Sequence, residues 1–303
     1  MLTLAGPATW EGVIQVYPSV WEGHPPYRPF AAAVAAADQS YQAWLAQSLP
    51  VPAAWAEARQ LAAYINWSCV VAPRGHHQRP AMLMSKNWMN KVWSWDHCFN
   101  ALALARQDPA LAWDQFVLFF DHQEPSGAIP DHLTDSTRSF RFYKPPIHGW
   151  ALRELLKRTD AITPHQLAAV YAPLARWTEW WFRYRDDDGD GVPQYNHGNE
   201  SGWDNGTVFS EGVPVESPDL SAYLVIQMDA LAELATRLGK PAEAAHWRER
   251  ADRLLALLMA HFWNGDQFVA QRSGSPIVPA GDSALVLCLC CWATGSKKQS
   301  RAR

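Results

Sequence analysis

Residues 186–210, DDDGDGVPQYNHGNESGWDNGTVFS, hold the densest set of side chains able to bind an ion or pass a proton. Asp186, Asp188, Asp190 and Gly191 have the spacing that opens an EF-hand loop. That loop needs a bidentate acid at its twelfth position, and His197 stands there, so an EF-hand is excluded. Three carboxylates, the Val192 carbonyl and an acid from elsewhere in the chain still make a calcium donor set. The bland alternative is a solvated acidic turn. Further along, Glu200 and Asp204 flank Trp203 among glycines that permit tight turns. A carboxyl packed against indole loses solvation and keeps its proton, which is what a general acid requires.

Two other segments carry chemistry. VWSWDHCFNALALA places Trp93, Trp95 and Asp96 where a helix begins, so that Asp96 taken alone reads as an acid complementing the helix dipole. The segment from Gln123 through Asp131 to FYKPPIHGW carries Lys144, His148 and Trp150 stiffened by Pro145 and Pro146. Lys144 alone reads as a solvated charge. The chain has 17 Trp, whose flat faces can stack on the C–H faces of sugars, and about three quarters of them are assigned to the core.

The elements that must position these residues are helices. Apolar spacing, with Asp108-Pro109, Thr163-Pro164 and Ser217-Pro218 as start signals and Gly239 as a stop, predicts helices near 30–48, 52–66, 95–107, 109–122, 147–158, 164–185, 218–238 and 241–263. A ninth begins around Asp282. Connections alternate between short and long, the long ones at 67–94, 123–146, 186–217 and 264–281. In successive antiparallel helices every second connection lies at the same end, so the long loops gather on one face. The expected fold class is all-α, with helical hairpins closing into a toroid; a helical solenoid would alternate similarly, but no repeat of fixed period stands out. Residues 1–28 read as an N-terminal arm or the remnant of a β-domain, and 29–303 as the helical domain.

Composition narrows the function. A net charge of −4 without a basic stripe gives no footprint for nucleic acid or an anionic membrane. No run of 18 uncharged apolar residues and no secretory leader is read, which makes a cytoplasmic protein with no membrane partner the expectation. Five Cys, three of them clustered at Cys288, Cys290 and Cys291, suit reduced thiols rather than a disulfide framework. The Asn66, Asn199 and Asn205 glycosylation matches are read as chance.

VWSWDHCFNALALA, KPPIHGW and HGNESGWDNGTVFSEGVPVESPDLSAYLV together resemble the motifs of glycoside hydrolase family 63, nearest its bacterial α-glucosidase and mannosylglycerate hydrolase-like members, and more remotely family 37 trehalases. The likeness runs from about residue 67 to residue 285. It implies an (α/α)6 barrel and hydrolysis of α-glycosidic bonds with inversion, on an oligosaccharide or small glycoside. By motif position Asp204 resembles the general acid. Trp93, Trp95 and Asp96 resemble the wall and hydroxyl-binding group of the subsite for the non-reducing sugar, and Lys144, Gln123 and Trp203 line the same cleft. No cofactor is required; some relatives hold calcium in a loop comparable to Asp186–Val192.

One feature departs from the family. Inversion needs a second carboxylate across the scissile bond. The family's base is a Glu late in the barrel, and no Glu follows Glu249 here. Glu233, Glu243 and Glu249 read as exposed helix faces, while Glu211 and Glu216 share the acid's loop. The expectation is a barrel incomplete at its C-terminus, with about nine of twelve helices, whose basic tail reflects a frameshift or a natural short form and which is inactive by itself. The competing reading is a non-catalytic sugar-binding protein using the same aromatic cleft. A metalloenzyme ranks third, because no His-Glu-x-x-His occurs.

Overall fold

The computed structural model describes residues 6, 11–14, 23, 26–275 and 283–289. Eight helices carry it: α1 (Phe30–Gln47), α2 (Ala56–Cys69), α3 (Asp96–Leu104), α4 (Pro109–Val117), α5 (His148–Arg158), α6 (Pro164–Tyr184), α7 (Pro218–Arg237) and α8 (Pro241–Phe262). The expected starts are met by two kinds of cap. Asp108 accepts from Leu111 N–H, and Thr163 with Gln166 forms a reciprocal capping box. Ser217 differs, since its hydroxyl goes to the Asp219 carboxylate and not to the backbone of α7. The helix expected over 109–122 breaks after Val117 and resumes as a single 3-10 turn, Phe120–His122, and α3 stops at Leu104 instead of 107. Of the ninth helix, the described part is a 3-10 stretch, Ala284–Leu289. Cys290 and Cys291 of the cysteine cluster and most of the N-terminal arm lie outside the described residues.

Helices α3, α5 and α7 touch in succession, while α4 packs beside α3, and α6 and α8 pack against α7. Gln227 of α7 fixes the centre: its Oε1 accepts from Gly149 N–H of α5 and its Nε2 donates to Thr178 Oγ1 of α6. A β-carbon on Gly149 would sit 2.5 Å from the Gln227 Cα, so only glycine allows α5 and α7 to approach this closely. Most of α7 is buried, including Leu220, Leu224, Met228 and Leu231, as an inner helix requires. By contrast no residue of α1 is buried, and the α1–α2 hairpin leaves Phe30, Trp55, Leu61 and Tyr64 exposed.

The core is aromatic where α6 crosses it. Trp177 and Trp181 are fully buried, and Tyr195 meets Trp181 edge to face at 6.2 Å. Fewer Trp serve the core than composition suggests: Trp113, Trp177, Trp180, Trp181 and Trp247 are buried, but Trp55, Trp88, Trp203 and Trp263 are exposed.

The all-α expectation is amended by eight two-residue strands in the long loops. Strands β1 (Val70–Val71) and β2 (Ala81–Met82) pair with each other. Strands β3 (Val92–Trp93), β4 (His132–Leu133) and β5 (Arg138–Ser139) form an antiparallel sheet that joins the first two long loops. Strands β6 (Gln194–Tyr195), β7 (Val215–Glu216) and β8 (Gln271–Arg272) join the third to the fourth. The long connections therefore meet as the alternation of loop lengths requires. No described helix is long and apolar enough to cross a membrane.

Candidate active site

The site forms where two of these loops and the start of α3 converge on one lysine. Pro145 and Pro146 set the chain rigidly ahead of α5, and Lys144 before them is buried, 8% exposed, correcting its reading as a solvated charge. Its Nζ donates to the Asn199 carbonyl at 2.6 Å and lies 3.9 Å from both Asp131 Oδ1 and Asp204 Oδ1. Asp131 comes from the turn into β4. Its Oδ2 meets His132 Nδ1 at 3.0 Å, while Oδ1 faces Lys144 without a hydrogen bond of its own. Asp96 at the start of α3 belongs to the same charge group. Burial raises its pKa above the usual carboxylate range, Asp131 and Asp204 push the same way, and Lys144 opposes them.

Trp95 supplies the floor. Gly202 adopts φ 76°, and a β-carbon there would stand 2.7 Å from the Trp95 ring, so the backbone two residues before Asp204 rests directly on that indole. Trp93 is half-buried beside His132, 5.5 Å between ring centroids, with Lys91 Nζ 5.8 Å from its ring. Trp203 is 39% exposed and offers a free face.

Two expectations need correction. The Asp204 side chain is 70% exposed, so Trp203 does not enclose it as indole desolvation would demand; its order comes from the loop and from Lys144. The other carboxyl of the pair, Glu200, is buried in a two-point ion pair with Arg185, at 2.7 and 3.3 Å, and is not offered to a substrate. Gln123 also stands apart from the cluster. Its Nε2 donates to the Gly127 and Pro173 carbonyls, both at 2.9 Å, and its Oε1 accepts from Arg176 at 2.7 Å, which commits the amide to tying its own loop to α6.

The acidic loop is a second centre. Asp186, Asp188 and Asp190 bring carboxylate oxygens within 4.8 Å of one another. Asp186 accepts from Gly189 and Gly191 N–H, and Asp190 from Val192 N–H. Beside Asp190 stands Glu216 of β7, 1% exposed, with Oε1 unpartnered and Oε2 2.5 Å from His261 Nε2. Glu216 raises the pKa of His261, with Asp190 and Asp188 adding to the effect, while burial opposes it. Asp190 belongs both to this acidic trio and to a second group with Glu216 and His261, and the carboxylate oxygens of the trio suit calcium, a hard cation that takes oxygen ligands. Neither Glu216 nor Arg185 was identifiable from the sequence, because each acts on residues brought near only by the fold.

The long loops of a helical frame bring aromatic side chains and carboxylates together, and solved structures share this fold. A family 63 mannosylglycerate hydrolase from Thermus thermophilus, in complex with Tris and D-glycerate, shares the fold at TM-score 0.65 and 16% identity, covering 79% of this chain and 74% of its own. The same protein in complex with glucose gives a TM-score of 0.64. Residues 89–303 match the mannosylglycerate hydrolase MGH1-like glycoside hydrolase domain, and the chain belongs to that family. The mannosylglycerate hydrolase MGH2 of Selaginella moellendorffii is 25% identical over 155 residues, 44% of this chain and 31% of its own. The mannosylglycerate hydrolase of Rubrobacter radiotolerans is 27% identical over 187 residues, 52% of this chain and 40% of its own. The chain thus aligns with about a third of the length of the Selaginella protein.

Proposed function

We propose that residues 29–303 form the catalytic segment of an inverting α-glycosidase on an (α/α)6 barrel, acting on a small anionic glycoside of the mannosylglycerate type. The observation that carries this reading is the convergence of Asp96 from the start of α3, Asp131 and Lys144 from the second long loop and Asp204 from the third. Trp93 and Trp95 present faces to the sugar, Asp96 accepts its hydroxyls, and buried Asp131 holds Lys144 in place. Asp204 gives its proton to the glycosidic oxygen as the bond from the anomeric carbon to that oxygen breaks. Water attacks the opposite face and gives up its own proton to a second carboxylate.

That second carboxylate is not among Glu216, Glu233, Glu243 and Glu249. Glu216 is held by His261, and the other three pair with Arg153, Lys240 and Arg253 in turn. The 303 residues alone are therefore expected to bind a glycoside without turning it over. A chimera in which this segment replaces the matching part of the Rubrobacter radiotolerans relative is expected to hydrolyse mannosylglycerate, with the first product carrying the opposite anomeric configuration by NMR. A retained anomer would refute the assignment. Robust hydrolysis by the 303-residue chain would instead make Glu211 the base.

Calcium enters this reading as a structural ion. Asp186, Asp188, Asp190, the Val192 carbonyl and Glu216 would hold it, stiffening the segment that leads to Asp204. Millimolar calcium after chelation is expected to raise the Tm by on the order of 5 °C, since an ion bound only by the folded state stabilises by mass action. Glu216→Gln and Asp188→Ala should each remove the shift, and an unchanged Tm in the wild type would return the loop to a solvated turn.

A further inference from the structure

We propose that Arg185 is a positioning residue that sets the loop carrying Asp204 and the loop carrying Lys144 in register, an inference that rests on the catalytic reading of those two residues. Arg185 directly follows α6, on the frame rather than on either loop. Towards the acid's loop, its Nη2 and Nε grip Glu200, whose Oε2 also accepts from Asn196 N–H at 2.7 Å. Three residues separate Glu200 from Asp204, and the intervening Gly202 is seated on Trp95. Towards the other loop, the guanidinium carbon lies 5.0 Å from the ring centroid of Tyr143, the residue before Lys144, and 4.7 Å from that of Trp180. Tyr143 and Trp180 are themselves 4.1 Å apart. Lys144 closes the circuit by donating to the carbonyl of Asn199, next to Glu200.

One planar cation thus makes a two-point bond to one loop and lies over an aromatic ring of the other. A lysine in its place has the charge but neither the fork nor the flat face. Its remaining Nη1 donates to the Tyr184 carbonyl, fixing the guanidinium to the end of α6. Misplacing an acid by a fraction of its reach is costly to chemistry even when the fold survives, which is why such a pair is worth burying.

The test uses the full 303-residue chain with Arg185→Met, Arg185→Lys and Glu200→Gln. Arg79→Met, which breaks an ion pair with Asp114 and Asp121 away from this cluster, serves as control. Amide exchange is followed for peptides spanning 140–146 and 196–206, with calorimetric titration of α-mannosylglycerate alongside. Exchange is expected to rise at least about tenfold in both peptides for all three clamp variants, although Arg185 lies in neither and Glu200 in only one. Affinity should fall with it, and Arg185→Lys should fail to restore either. Arg79→Met should change the Tm and leave both readouts alone. Loosening confined to 196–206, or rescue by lysine, overturns the clamp. Should Arg185→Met not fold, the lysine and Glu200→Gln variants decide the matter. Failure of the wild type to bind any glycoside refutes the catalytic reading, while the exchange pattern still judges the clamp.

Discussion

Asp204→Asn is expected to lower turnover by at least about a hundredfold in the hydrolytic chimera while leaving sugar binding nearly intact. The amide keeps the shape of the side chain and cannot deliver a proton to the departing oxygen, and general acid catalysis contributes on the order of 10²–10⁴. Binding survives because the stacking faces of Trp93 and Trp95 and the acceptor at Asp96 are separate from the donor. Kinetics with glycosides of graded leaving-group acidity provide the check: the loss should shrink as the leaving group needs less protonation. Unchanged turnover in Asp204→Asn would remove Asp204 from this role.

The second large effect is acid lability. His97 and His148 are fully buried, and burial holds their pKa values down, to about 4 and about 3. His148 sits between Phe116 and Phe120 with no partner for either ring nitrogen. The unfolded chain takes up a proton at each imidazole below about pH 6.5, where the folded protein does not, so stability falls with pH from there downwards. The cost is about 1.4 kcal/mol per pH unit for each histidine, or about 4 kcal/mol for the pair between pH 7 and pH 5. Asp219 opposes part of it. Burial raises its pKa to about 6, so its folded form gains a proton earlier than the unfolded chain and is favoured as pH falls through that value towards about 4. These three groups together give a loss of about 3 kcal/mol at pH 5. His148→Phe fills the same aromatic slot and should halve the histidine contribution. Denaturant midpoints at pH 7 and pH 5 for wild type and variant measure it, and an equal pH dependence in the two proteins would contradict this assignment.

Much of the frame was legible because helix signals are local. Thr163-Pro164 and Asp108-Pro109 state their caps in adjacent residues, and the spacing of Leu167, Val170, Tyr171, Leu174 and Trp181 states the buried face of α6. The site was legible as residue types and not as contacts. Lys144 looked like a surface charge because nothing near it in sequence shows that Asn199, Asp131 and Asp204 will close around it. Glu200 and Asp204 looked equivalent beside Trp203, until Arg185 took one and left the other open. Nothing in the spacing of the acidic loop announces Glu216, which the pairing of β6 with β7 and the packing of α8 bring beside Asp190 and His261. Side chains that act across the fold leave no period and no spacing in the chain.

The most direct test of the cleft is a calorimetric titration of the 303-residue chain with α-mannosylglycerate. Trehalose and glycerol serve as comparisons, and the titration is repeated for Asp96→Ala and Trp95→Ala. Saturable binding of the mannosylglycerate is expected, weakened at least about tenfold in each variant, the loss that follows when a half-buried acceptor or a stacking face is removed. Absence of binding in a folded wild-type chain, or binding that both variants retain in full, would contradict it.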